Sequence, residues 1–153
     1  MQVYLIRHTT PHIDKDVCYG QSDISLAATF EMEWRSIKEK LPEDIDKIFS
    51  SPLSRCTQLS VKLANHFGIP FSVDDRLKEM NFGEWELKKW DDIDQGMLRY
   101  WIENYKTERC PNGESYDEPI SRFGFEYSGS VQGFETCPLH IGRQTVTKIG
   151  NLN

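Results

Sequence analysis

The first 73 residues alternate between short apolar runs and longer stretches in which apolar residues recur with helical spacing. Runs near residues 3–6, 45–49 and 69–73 are rich in β-branched or aromatic side chains, which is typical of strands. Between them, apolar residues recur every three or four positions over 26–41 and 53–67, which predicts two helices. The order strand-helix-strand-helix-strand favours an α/β fold, a three-layer sandwich with a mainly parallel central sheet flanked by helices.

Serines and a proline mark where these helices are expected to begin. Ser25 can cap the first helix, and Ser51 can cap the second, with Pro52 in its first turn. A third helix is predicted over residues 90–105. Its inward-facing residues are expected to be Ile93, Met97, Tyr100 and Trp101.

Composition and charge restrict the class of protein. A chain of 153 residues suits one domain, 1–153, and its net charge of −6 argues against a nucleic-acid partner. Met1 leads directly into the first strand, and no stretch has the roughly 20 apolar residues that span a membrane. The four cysteines show no zinc-site spacing. We therefore expect a cytoplasmic protein with reduced thiols and no membrane partner.

The first predicted strand ends in Arg7 and His8. In open α/β sheets, ligands bind outside the carboxyl ends of the strands. A fixed cation beside an imidazole at that edge suits an anion, and a phosphoryl group above all. A surface turn that happens to contain both residues is the alternative for so short a motif.

Three further segments could contribute to an anion site. Arg55 falls in the first turn of the second helix, where a cation opposes the helix dipole unless an anion is present, and an exposed arginine is the alternative. Glu79 lies between Leu77 and Phe82, and a carboxyl group in apolar company can have a raised pKa and act as a general acid. A surface loop with acidic residues is the alternative. The turn 112–115 could present a backbone amide to a ligand.

Together these segments resemble the histidine phosphatase superfamily, also called the phosphoglycerate mutase-like family. Arg7-His8-Thr9 matches its Arg-His-Gly/Thr signature, and Leu5 to Pro11 look most like the α-ribazole phosphatase branch. The resemblance covers about Gln2 to Tyr116, and it is specific because several motifs agree in order and spacing. The other segments that fit the branch are residues 19–26, 49–58, 77–86 and 113–115.

The resemblance implies a role for each of four residues. His8 would attack phosphorus and become phosphohistidine, which splits the transfer into two steps. Arg7 and Arg55 would clamp the phosphoryl oxygens and stabilise the charge of the transition state. Glu79 would protonate the leaving alkoxide and later take a proton from the attacking water.

The resemblance also implies the site's other components. Gln21 and Ser22 lie where the family often contacts substrate. No metal and no cofactor is required, because arginines take the place of a metal ion. The expected partner is a small phosphorylated metabolite. The oligomeric state is left open, with a dimer as one possibility.

The region after Tyr116 departs from the family pattern. The family has a second histidine on a later strand, and His140 is the candidate by order, although Pro138 falls where that strand would run. The tail 117–153 is glycine-rich and lacks apolar periodicity. Our hypothesis is a chain truncated or shifted in reading frame after about Tyr116, with the C-terminal part of the fold missing or altered and the first strand left with an exposed edge.

Three functions follow from these features. The first is metal-independent phosphomonoester hydrolysis through phosphohistidine, most like α-ribazole phosphatase in cobalamin biosynthesis. The second is a catalytically impaired remnant that binds phosphate. The third is a phosphoglycerate mutase-like phosphotransferase, which the short polar second half does not favour over hydrolysis.

Overall fold

The computed structural model describes residues 3–123 and 147–150. The helices and strands of this part of the chain, in order, are β1 (Val3–Ile6), α1 (Phe30–Lys38), β2 (Ile48–Ser50), α2 (Ser54–Phe67), β3 (Phe71–Val73), α3 (Gln95–Asn104), α4 (Asp117–Phe123) and β4 (Thr147–Gly150). Three single 3₁₀ turns lie between β3 and α3, at Asp75–Leu77, Gly83–Trp85 and Trp90–Asp92.

The chain divides into two compact units. Unit 1 comprises Met1–Asp14, Asp23–Lys78 and Thr145–Asn153, and it contains the sheet with α1 and α2. Unit 2 comprises Lys15–Ser22 and Glu79–Gln144, and it contains α3 and α4. The expectation of a single domain over residues 1–153 stays a prediction.

The four described strands form one sheet in the order β1-β4-β2-β3. β2 and β3 pair in parallel, whereas β4 runs antiparallel to both of its neighbours. β1, β2 and β3 therefore share one direction, and β4 alone opposes them. The expected α/β fold with a mainly parallel sheet and flanking helices is confirmed.

β4 occupies the position beside β1 that we expected to be vacant. It pairs with the whole length of β1, from Val3 opposite Gly150 to Ile6 opposite Thr147. The expectation of an unpaired β1 is therefore wrong on this side. Within the described sheet β1 is an end strand, so its second side forms the sheet's edge.

One face of the sheet forms the core of unit 1. Ile6 and Ile48 lie on this face and pack with Leu59 and Leu63 of α2, and all four side chains are at most 7% exposed. Partly buried side chains of α1, among them Phe30, Trp34 and Ile37, complete the cluster. Removing this apolar surface from water is the main stabilising contribution to the unit.

β1 is amphipathic rather than buried throughout. Ile6 is 7% exposed, whereas Val3 is 37% exposed and Leu5 is 51% exposed. Successive side chains of a strand point to opposite faces, so only one set meets the helices. The apolar composition of β1 alone did not reveal this alternation.

α1 begins four residues later than its apolar spacing predicts. Ser25 does not cap it; the Ser25 carbonyl accepts the His12 amide at 2.7 Å, and the Ala27 amide donates to the Thr10 carbonyl at 2.9 Å. These bonds hold the 25–27 segment in an extended pairing with the loop after β1. The helix therefore starts at Phe30.

α2 begins two residues after Pro52, at Ser54. The predicted cap, Ser51, lies outside its first turn. The Ser54 amide instead donates to Oδ1 of Asp23 at 3.0 Å, so a carboxylate from a distant part of the chain satisfies the helix start. Gly68 ends the helix in the left-handed conformation, with φ of 69°.

An aromatic cluster forms the core of unit 2. The rings of Trp85 and Trp101 meet edge to face at 5.4 Å between centroids, and Phe82 packs against Trp101 in the same manner. The other buried members of the cluster are Cys18, Met80, Ile93, Leu98 and Cys110.

α3 is shorter than the predicted 90–105 helix. The side chain of Asp94 accepts the Met97 amide at 2.8 Å and sets its start. Ile93 and Trp101 are buried as expected. Met97 and Tyr100 are 49% and 56% exposed, so the prediction that they face inward is wrong. Leu98, three residues before Trp101, is the second buried side chain of the helix.

Two global expectations can be compared with the described residues. Among the described residues, Cys18, Cys56 and Cys110 are buried and form no disulfide, and Cys137 lies outside the described residues, so the expectation of reduced thiols stays a prediction. No helix within 3–123 has the length and apolarity that crossing a bilayer requires.

We predict that Leu59→Ala lowers the free energy of unfolding by about 2–5 kcal/mol, because it leaves a cavity where the side chain is fully buried. Val61→Ala on the same helix is the control, since Val61 is 45% exposed. Urea unfolding measures both. Equal losses in the two variants would contradict the assignment of Leu59 to the core.

Candidate active site

His8 lies two residues beyond the carboxyl end of β1 and is buried. Its exposed fraction is 6%, and that of Thr9 is 2%, whereas Arg7 is exposed. The alternative of a surface turn is therefore wrong for the histidine. A buried imidazole needs a hydrogen-bond partner, and the chain supplies one next to it.

The Thr9 carbonyl determines the tautomer of His8. The ring Nδ1 lies 2.6 Å from this oxygen. A carbonyl oxygen can only accept, so Nδ1 carries the proton and donates. The lone pair of the neutral ring is therefore on Nε2, which is the atom available to attack an electrophile.

His8 is neutral at physiological pH. The pKa of His8 is lowered from 6.5 to about 4, chiefly by burial and also by the positive charges of Arg55 and Arg7. The hydrogen bond to Thr9 and the carboxylate of Glu33 oppose the shift. An uncharged imidazole retains the lone pair that nucleophilic attack requires.

Arg55 is fully buried, with an exposed fraction of 0%, so the alternative of an exposed arginine is wrong. It precedes Leu59 and Leu63 by one and two helical turns, and it therefore belongs to the stripe of α2 that faces the core. Its charge acts on His8 and on Asp23. A guanidinium in this position gives the region beside His8 a permanent positive charge.

Glu79 belongs to unit 2 and is buried, with 8% of its surface exposed. Its Oε1 accepts the Met80 amide at 3.0 Å. The alternative of a surface loop is therefore wrong for this carboxyl group. The raised pKa that general-acid catalysis requires stays a prediction.

Glu86 holds the loop that carries Gln21 and Ser22. Its two carboxylate oxygens accept the amides of Gly20, Gln21 and Ser22 at 2.8–3.1 Å, and Phe82 donates a fourth. The Gln21 side chain also donates to the Glu79 carbonyl at 2.9 Å. Hydrogen bonds thus join Gln21 and Ser22, from the first chain segment of unit 2, to the second segment, which begins at Glu79.

Gly20 permits this close approach. A Cβ atom at Gly20 would lie 1.9 Å from the Met80 carbonyl oxygen. No other residue fits there without moving the backbone. Sequence reasoning missed the anchoring role of Glu86, because three of its four amide partners lie more than 60 residues away and no local spacing connects them.

The turn 113–115 uses its amides internally. Gly113 donates to the Cys110 carbonyl, Glu114 donates to the Asn81 carbonyl, and Ser115 donates to the carboxylate of Glu118. We had expected this turn to present a backbone amide to a ligand, and for residues 113–115 that expectation is wrong. Its role within unit 2 is to support Asn81, whose amide donates to the Glu114 carboxylate at 2.8 Å.

The predicted site residues therefore fall into two groups. Unit 1 brings together Arg7, His8 and Arg55, and unit 2 brings together Gln21, Ser22 and Glu79. The proposed second histidine, His140, lies outside the described residues, as does most of the tail on which the truncation hypothesis rests.

The lowered pKa of His8 predicts a stability change with pH. Between about pH 6.5 and pH 4 the unfolded chain binds a proton that the folded protein excludes, so the free energy of unfolding decreases as pH falls. The contribution of neutral His8 to the free energy of unfolding is fully present above pH 6.5. Its loss by about pH 4 lowers that free energy by about 3 kcal/mol.

Urea unfolding of the wild type and of His8→Gln across this window measures the contribution, because glutamine does not titrate. The free energy of unfolding of the wild type, relative to that of His8→Gln, should decrease as pH falls. A difference that is constant with pH would contradict the burial of a neutral His8.

We also predict that Glu86→Gln lowers the free energy of unfolding by about 2 kcal/mol, because an amide has one acceptor oxygen where the carboxylate has two. Glu103→Gln, on the exposed side of α3, is the control for the loss of charge. Chemical unfolding of both variants measures the effect. Equal stabilities would show that the four amides do not depend on the carboxylate.

Solved structures of two phosphatases resemble this chain. The mycobacterial glucosyl-3-phosphoglycerate phosphatase Rv2419c superposes with a TM-score of 0.69 and 28% identity, over 78% of this chain and 58% of that chain. The α-ribazole phosphatase from Shigella flexneri gives a TM-score of 0.69 at 22% identity, over 78% of this chain and 61% of that one. The second likeness shows the fold alone.

A curated relative gives a similar result. The protein named "Probable phosphoglycerate mutase GpmB" from Enterobacter sp. (strain 638) is 32% identical over 124 residues, which are 77% of this chain and 57% of the relative. The chain thus spans less than two thirds of the length of such relatives.

The family match includes every described residue of the candidate site. The protein-family model described as "Histidine phosphatase superfamily (branch 1)" matches residues 3–124. The match extends beyond Tyr116, where we expected the resemblance to end. This range includes β1 with Arg7 and His8, the start of α2 with Arg55, and the segment with Glu79. With well over half of its length matched, the chain belongs to the histidine phosphatase superfamily.

Proposed function

We propose that this chain hydrolyses a phosphomonoester through a phosphohistidine at His8, without a metal ion. The observation that carries the proposal is the 2.6 Å hydrogen bond from His8 Nδ1 to the Thr9 carbonyl. It leaves the lone pair on Nε2, and the low pKa of the buried ring preserves that lone pair at neutral pH. Both properties suit a nucleophile better than a proton donor.

The first step forms an Nε2–P bond and breaks the P–O bond to the leaving group. Arg7 and Arg55 neutralise the phosphoryl oxygens as charge accumulates on them. We propose that Glu79 donates its proton to the departing alkoxide. The products of this step are an alcohol and phosphohistidine.

The second step returns the enzyme to its starting state. A water molecule attacks phosphorus, and Glu79, now ionised, accepts a proton from that water. The Nε2–P bond breaks, inorganic phosphate leaves, and His8 is again neutral. The step consumes one water and needs no co-reactant.

The substrate we propose is a small phosphorylated metabolite, and specifically one like α-ribazole 5′-phosphate in cobalamin biosynthesis. The support is the order of motifs that resembles the α-ribazole phosphatase branch, together with the fold shared with such an enzyme. A phosphoglycerate mutase-like transfer is the further alternative, since relatives with that name also match.

A second candidate is a remnant that binds phosphate and turns over slowly or not at all. Among the described residues, His12 is exposed and follows His8 by four residues. His66 lies in the last turn of α2, edge to face with the rings of Trp34 and Phe67. These positions leave His140 as our proposed second histidine, and they favour a test of binding apart from turnover.

We predict that His8→Ala abolishes hydrolysis of a chromogenic phosphomonoester, with a loss of at least about 1,000-fold in kcat, because the nucleophile is removed. EDTA should leave the wild-type rate unchanged. His12→Ala, which removes an exposed histidine nearby, is the control and should retain activity. Unchanged turnover in His8→Ala would refute the phosphohistidine mechanism.

Phosphate binding separates the remnant from the enzyme. The remnant should melt at a higher temperature in inorganic phosphate, because a ligand stabilises the folded state to which it binds, and yet show no turnover. The enzyme should show both stabilisation and turnover. Neither effect in a folded protein would refute both candidates.

A further inference from the structure

We propose that Glu33 is a positioning residue for His8 and acts on it through the peptide group between Thr9 and Thr10. The inference rests on the proposed function, because it assigns Glu33 to the nucleophile of that reaction. Nothing in the sequence singled out Glu33, which lies 25 residues beyond His8 on α1.

One peptide group joins the two side chains. Its carbonyl, on Thr9, accepts from His8 Nδ1 at 2.6 Å. Its N–H, on Thr10, donates to Oε2 of Glu33 at 2.8 Å. The imidazole and the carboxylate therefore bind opposite ends of a single planar amide.

This arrangement transmits charge as well as position. Peptide resonance couples the N–H to the carbonyl, so an anion that accepts from the N–H increases the negative charge on the carbonyl oxygen. The bond to Glu33 is charge-assisted and therefore stronger than one between neutral groups. The Thr9 carbonyl becomes a better acceptor for the Nδ1 proton of His8.

Neighbouring bonds fix both the carboxylate and the peptide. Oε1 of Glu33 accepts the Thr29 hydroxyl at 2.5 Å. Partial burial opposes ionisation of Glu33, but the hydrogen bonds from Thr29 and Thr10 outweigh it and leave the pKa of its carboxyl group below the usual value. The next peptide group is also held, because the Thr10 carbonyl accepts the Ala27 amide at 2.9 Å, and this bond restrains the backbone on the far side of Thr10.

The chemical consequence concerns the charge that develops on His8. When Nε2 bonds to phosphorus, the ring becomes cationic and its Nδ1 proton more acidic. A carbonyl backed by a carboxylate stabilises that proton and the cation. The role resembles that of the carboxylate in a carboxylate-histidine pair, with a peptide inserted between the two groups.

Two substitutions and a control isolate this role. Glu33→Gln keeps the length of the side chain and an acceptor oxygen but removes the charge, and Glu33→Ala removes both. Glu31→Gln is the matched control. Glu31 lies in the same first turn of α1, carries the same charge, and pairs with Lys62 Nζ at 2.5 Å.

The first measurement is the ¹⁵N chemical shift of the two ring nitrogens of His8 in folded protein, from two-bond ¹H–¹⁵N correlation spectra. We expect the Nδ1–H tautomer in the wild type, a shift of the Nδ1 resonance in Glu33→Gln, a larger shift in Glu33→Ala, and no change in Glu31→Gln. Unaltered His8 resonances in both Glu33 variants would overturn the proposal whether or not the protein is an enzyme.

The second measurement is steady-state kinetics on the same variants. Glu33→Gln should lower kcat about fivefold with little change in KM. The effect is modest because the intervening peptide and the partial solvent exposure of Glu33 weaken the influence of its charge on His8. Glu31→Gln should leave both constants unchanged. A wild type without turnover would refute the proposed function, and the spectra would still decide the role of Glu33. Equal losses of kcat in Glu33→Gln and Glu31→Gln would refute a specific role of Glu33 in the reaction.

Discussion

The packing of the sheet against α2 determines where the polar residues of unit 1 lie. Ile6 and Ile48 on the sheet meet Leu59 and Leu63 on the helix, and this contact fixes the strand end relative to the start of the helix. His8 follows Ile6 by two residues, and Arg55 precedes Leu59 by one helical turn. Both are buried because they continue apolar elements into the region where those elements converge. The resulting pair, a neutral imidazole beside a permanent cation, is the chemical basis of the attack on a phosphoryl group that we propose.

Two carboxylates organise the loops, one in each unit. Glu86 gathers the amides of the 20–22 loop in unit 2, and Glu33 binds the Thr10 amide in unit 1. In both cases hydrogen bonds from a side-chain hydroxyl, Ser22 for Glu86 and Thr29 for Glu33, and from backbone amides outweigh the cost of partial burial and keep the pKa of the carboxyl group below its usual value. An ionised carboxylate with two acceptor oxygens can order several amides that no regular secondary structure satisfies. The loops that carry candidate site residues therefore depend on acids that have no direct role in the proposed chemistry.

Much of the fold was predictable because helices and strands are local patterns. The order of elements and the direction of β1, β2 and β3 follow from apolar spacing and from the geometry of crossovers. The boundaries were less predictable. Ser25 and Ser51 are residues of a type that often caps helices. The Ser25 carbonyl instead pairs with the His12 amide, and the carboxylate of Asp23 rather than Ser51 accepts an amide at the start of α2. β4 was not predicted, because four residues of a glycine-rich tail carry no periodicity and only pairing with β1 and β2 defines them as a strand.

The sequence by itself determined the class of fold, the family, and the identity of the candidate nucleophile and its arginines. Those properties reside in residue types and their order along the chain, which are local information. Only the tertiary structure decided the tautomer of His8, the burial of Arg55, and the partnerships of Glu33 and Glu86. Each of these depends on which donor meets which acceptor across a long stretch of chain. A hydrogen bond forms within about 3 Å, and no spacing rule along a sequence specifies such an encounter.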